Sequence, residues 1–92
     1  MSVLKPARDR ALDPPPNASR PQAVEVLRVW AVPGEAQQLV LRTTWKDAGV
    51  WGLLLADVAR HAAKAYASEG DDEAAAFERI SGIIQAELAK PN

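Results

Sequence analysis

From Val24 to Val32 the chain reads Val-Glu-Val-Leu-Arg-Val-Trp-Ala-Val, rich in β-branched and aromatic residues and short enough for a strand. Pro33-Gly34 follows, suited to the two central positions of a type II turn. Leu39 to Trp45 supplies a second strand, so an antiparallel hairpin is predicted around 33–37. Setting Val32 opposite Gln38 puts Trp30 opposite Val40, Arg28 opposite Arg42 and Val26 opposite Thr44. The other face carries Leu27, Val29, Ala31, Leu39, Leu41 and Thr43. That face is core-like throughout. The first mixes Val26, Trp30 and Val40 with two arginines, a poor composition for a dry core because unpaired buried charge is costly.

The period then changes to that of a helix. Asp47 is the predicted N-cap of a helix over about 48–69, with Thr44 as a weaker alternative. In its later half Asp57, Arg60, His61, Lys64 and Ser68 share a polar side, and Val58, Ala59, Ala62 and Tyr66 an apolar one. Its first turns, with Val50, Trp51, Leu53, Leu54 and Leu55, are apolar nearly all round, which implies burial all round. Gly70 ends this helix, Asp71 caps the next, and Phe77, Ile80, Ile84 and Leu88 form the apolar stripe of a second helix over about 72–89. Gly82 inside it suggests close approach of another backbone or mere tolerance. The short connection makes the two helices antiparallel neighbours.

The predicted fold class is therefore α+β, a β-hairpin followed by a helical hairpin (ββαα). Residues 23–90 form one domain and residues 1–22 a flexible, proline-rich N-terminal arm. Pro6, Pro14-Pro15-Pro16 and Pro21 oppose helix there, the triple proline favours an extended polyproline conformation, and Val3, Leu4 and Leu12 offer little to anchor it. The helical pair can cover the Leu27/Val29/Leu41 face, but two strands leave unpaired edges. A second copy joining edges, or stacking Trp30 faces, would extend the sheet.

Composition sharpens this expectation. The chain has 92 residues and no cysteine, so disulfides and thiolate metal sites are excluded. A core of this size rarely yields more than ~3–5 kcal/mol of net stability, and self-association is the remaining common remedy. Net charge is −1, with the acidic excess beyond Pro21 and the basic excess before it. A nucleic-acid binder shows a basic stripe on its folded face, and none is evident here. No stretch has the length and apolarity to span a bilayer, and the N-terminus has no secretory pattern; a soluble cytoplasmic protein is expected.

Three stretches carry a resemblance: Glu25 to Gly34, Leu41 to Asp47, and Trp51 to His61, which combine tryptophans with fixed polar neighbours. In these the chain resembles a family of short bacterial proteins catalogued only as a domain of unknown function. The resemblance spans about 24–88 and implies a free-standing small bacterial protein, with no activity to carry over.

Among chemical candidates, Asp57, His61 and Lys64 share a helical face, and an Asp–His pair can do general-base work. It lacks a nucleophile, and a solvated ion pair explains it better. Metal binding needs three or four converging ligands, which one histidine and scattered carboxylates do not provide. No metal or other cofactor is expected. Asp71-Asp72-Glu73 lacks the spacing of a calcium loop. Trp45 and Trp51 flank the strand-to-helix joint, where packing is commoner than a ligand shelf. Arg28, Trp30 and Arg42 could together hold an anionic or aromatic ligand, or else pair with carboxylates such as Glu25 or Glu35. The leading expectation is a non-enzymatic homodimer that binds protein, with Val26, Trp30, Val40 and Leu53 at its interface. The alternative is a small-molecule or anion binder using Arg28, Trp30 and Arg42.

Overall fold

The structure, a computed structural model, describes residues 4–91; the first three residues of the arm and Asn92 lie outside the described residues. The chain is mixed α+β: an antiparallel two-stranded sheet, β1 (Leu27–Trp30) and β2 (Gln38–Leu41), precedes two helices, α1 (Gly49–Ser68) and α2 (Glu73–Leu88). It divides into two compact units at Thr44/Trp45.

In the first unit, Val32 to Glu35 closes the predicted turn. The Glu35 amide donates to the Val32 carbonyl at 3.0 Å, and Gly34 takes a φ of +79°, the value its type II position demands. Because the turn shuts between Val32 and Glu35, the chain returns earlier than a loop ending at Gln37 would allow. The register therefore differs by two residues from the predicted one: Leu27 faces Leu41, Arg28 faces Val40, Val29 faces Leu39 and Trp30 faces Gln38. The Arg42 amide donates to Val26 at 2.9 Å, extending the ladder by one pair. The division into faces survives, since a two-residue shift preserves parity. Both strands are shorter than predicted. Ala31 and Val32 are drawn into the turn region. At the other end Thr44 adopts φ +61°, a left-handed conformation uncommon for a β-branched residue, with its hydroxyl donating to the Arg42 carbonyl at 3.1 Å.

The described arm residues are exposed. The prolines do not hold it extended throughout: short 3-10 turns occupy Ala7–Arg10 and Pro16–Ser19. Pro15 is polyproline-like, but Pro16 opens a turn, because its fixed φ also suits a first helical position.

In the second unit, Asp47 serves the first turn of α1 from just outside it. Its carboxylate accepts from the Gly49 amide at 2.8 Å while Ala48 occupies the formal cap position. A side chain at Gly49 would press on that carboxylate, so the glycine permits the contact. α1 ends at Gly70, φ +109°, where the Asp71 amide donates to Tyr66 and the Gly70 amide to Ala67. This pair of bonds is the Schellman arrangement. Asp72, rather than the expected Asp71, caps α2, its carboxylate accepting from the Ala74 amide at 3.0 Å. Asp72 has the extended backbone, φ −77° and ψ 121°, that a cap position requires.

α1 and α2 pack against each other. The contact is lined by Ala59 and Ala63, both buried, and by half-buried Ala67, a four-residue spacing that makes one stripe. Phe77 and Ile80 from α2 supply the bulk and are half-buried. The stripe is rotated from the predicted one: Val58 and Tyr66 are exposed. Ala62 is half-buried beside this stripe, while Leu55 and Val58 lie outside it, about half exposed. A side chain at Gly82 would meet open space, so no backbone among the described residues approaches it.

Candidate functional site

The even-numbered sheet face holds most of the expected site. Arg28 and Arg42 are diagonal neighbours, since Arg28 lies opposite Val40 and Arg42 is bonded across to Val26. The direct arginine–arginine opposition expected from the sequence is absent, which weakens the like-charge repulsion. Both side a shallow hollow of about 360 Å³, together with Glu25, Val26 and Val40. Arg28 Nη2 donates to both carboxylate oxygens of Glu25, each at 3.0 Å. The pair is largely solvent-exposed, so water screens it and its contribution to stability is small.

Trp30 is half-buried and stands opposite Gln38. It lines a different concavity, of about 880 Å³, shared by β1 with arm residues such as Arg10, Leu12 and Pro15. Arg28 lines both concavities, so it neighbours Arg42 in the one and Trp30 in the other, while Arg42 and Trp30 share neither. Of the expected interface residues, Val26 is half-buried, Val40 is 68% exposed and Leu53, in the other unit, is 73% exposed. The sequence reading missed Gln38 as the cross-strand neighbour of Trp30. Only the turn closure at Glu35 could have revealed it.

His61 and Asp57 are adjacent and exposed. His61 Nδ1 lies 2.8 Å from the Asp57 carbonyl oxygen and 3.6 Å from its carboxylate, so the ring is tied first to its own helix backbone. Among the described residues no three of His, Cys, Asp and Glu converge as metal ligands would. Trp45 and Trp51 pack edge to face, centroids 5.9 Å apart and planes at 73°, an arrangement that satisfies both rings without a ligand. Arg60 stacks at 6.0 Å over Phe77, bracing the helical pair. No described helix is long and apolar enough to cross a membrane.

A family model described as a domain of unknown function (DUF5076) matches residues 11–92. No curated protein matches the chain. A solved structure described as that of "a putative pyruvate dehydrogenase from the photosynthetic bacterium Rhodopseudomonas palustrus CGA009" is similar to it. The two are 38% identical with a TM-score of 0.70, over 100% of this chain and 90% of that one.

Proposed function

We propose that this chain, which belongs to the DUF5076 family, is a bacterial cytoplasmic protein that self-associates, most simply as a homodimer, and works by binding protein rather than by catalysis. The observation that carries this reading is how little the single chain buries. Among the described residues the buried hydrophobics are two alanines, Ala59 and Ala63, while Val29, Leu39, Val40, Leu41, Leu53 and Leu55 are each at least half exposed. Val29, Leu39 and Leu41 share one face of the hairpin, and a contiguous apolar patch of this kind marks an interaction site. The bacterial source of the similar structure supports the assignment of kingdom.

Carried over, the pyruvate dehydrogenase description would make this chain an enzyme or a component of one. The binding reading fits the second sense. The lone histidine, exposed and tied to its own helix, gives the first little to work with.

Sedimentation equilibrium at micromolar concentration tests the proposal. The expected result is a mass twice that of the 9.9 kDa chain; a monomer that stays folded at all concentrations would overturn it. A second reading, favoured by the hollow that Arg28 and Arg42 share, is binding of a carboxylate or phosphate group. It ranks behind because Glu25 already occupies Arg28. Replacing both arginines by Met should then abolish thermal stabilisation by inorganic phosphate; an unchanged response excludes the site.

A further inference from the structure

We infer that two copies of this chain pair through the outer edge of β2, antiparallel, about a twofold axis at Val40. The inference rests on the self-association reading and names its seam. It starts from which backbone groups the hairpin has already used. The Arg42 amide points inward, to Val26. In an antiparallel ladder inward and outward groups alternate, so Val40 also bonds inward and the backbone groups of Leu39 and Leu41 point outward. The β1 edge is faced across its groove by the arm. Every residue of β2 is exposed, and none carries a charge or is a proline, the usual devices that keep an edge from pairing.

The register follows from the same pattern. The bonded ladder spans 38–42, and its centre is Val40. A twofold axis there sets Leu39 against Leu41 of the second copy and Leu41 against its Leu39. Both pairs present outward groups, so each exchanges two hydrogen bonds. Gln38 then meets Arg42 of the second copy, so no like charges oppose. Parity is conserved across the seam. The leucine face of one hairpin therefore continues into that of the other, and the arginine face does likewise. A twofold edge contact of this kind is self-complementary and closed, so it ends at a dimer rather than growing into a fibre.

At the axis the two Val40 side chains form a non-hydrogen-bonded pair, with Cβ atoms roughly 4.5–5.5 Å apart, near the span of a disulfide. The chain has no cysteine, so a single introduced thiol reports without background. Val40→Cys, oxidised at micromolar concentration, should migrate almost wholly as a covalent dimer on a non-reducing gel. Val29→Cys, on the other strand, should remain monomeric. If the unmodified chain sediments as a dimer but Val40→Cys does not cross-link, or both variants cross-link equally, the seam is overturned and self-association stands. If the unmodified chain is a monomer, the reading beneath it falls as well.

Discussion

Gly70, at φ +109°, is the residue on which the helical unit turns. It allows Asp71 to reach back to Tyr66 and Gly70 itself to reach Ala67, closing α1 and releasing Asp72 to cap α2. A Cβ there meets no neighbour, so a substitution tests backbone strain alone. Gly70→Ala is expected to lower stability by about 1–2 kcal/mol, read as a lower urea midpoint at unchanged slope. A midpoint within error of the parent would mean that the turn does not hold its left-handed conformation in solution. The glycine was legible in the sequence because its signal is local. The cap was legible only in type: Asp71 and Asp72 are adjacent and have the same chemistry, and which one caps depends on which takes the extended backbone before the helix. Asp47 is a similar case. Its carboxylate takes a free amide as expected, one position further out than a standard cap.

At the level of elements, both hairpins were readable and their phases were not. The β-hairpin's faces followed from period two, which survives a two-residue shift; its cross-strand pairs depended on where the turn closed. α1 shows the helical version. Val58, Ala59, Ala62 and Tyr66 are a sound apolar side by periodicity, yet α2 settles on Ala59 and Ala63, the latter 1% exposed. Periodicity marks a broad apolar side and does not say which part of it the partner helix covers; the larger Val58 and Tyr66 stay about half exposed. Of the two readings of Gly82, a close backbone or mere tolerance, the open space around it fits the second. Its cost to α2 is thus uncompensated within the chain. Gly82→Ala should raise stability by roughly 0.5–1 kcal/mol, measured by chemical unfolding at fixed protein concentration. A loss instead would place another backbone against Gly82 in the assembled protein, and would locate a contact that the single chain does not show.

For the whole molecule the argument concerns surface and size. A 92-residue chain without disulfides has a small margin, and this one leaves Leu53 and Val40 mostly in water. The sequence already pointed to excess apolar surface through the all-round apolar start of α1. It could not say how that surface would be shared, since the copy that would cover it has the same sequence. If folding is coupled to pairing, stability must follow mass action. Diluting the protein about a hundredfold then removes about 2.7 kcal/mol from the folded dimer. For a protein of this size that corresponds to a fall in thermal midpoint on the order of 5–10 °C. Calorimetry across that dilution should show the fall, and Leu53→Glu should show it at higher concentration if that leucine is part of the contact. A midpoint that ignores concentration would mean that the single chain is stable with its leucines in water, and the surface would then have to be kept for a different partner.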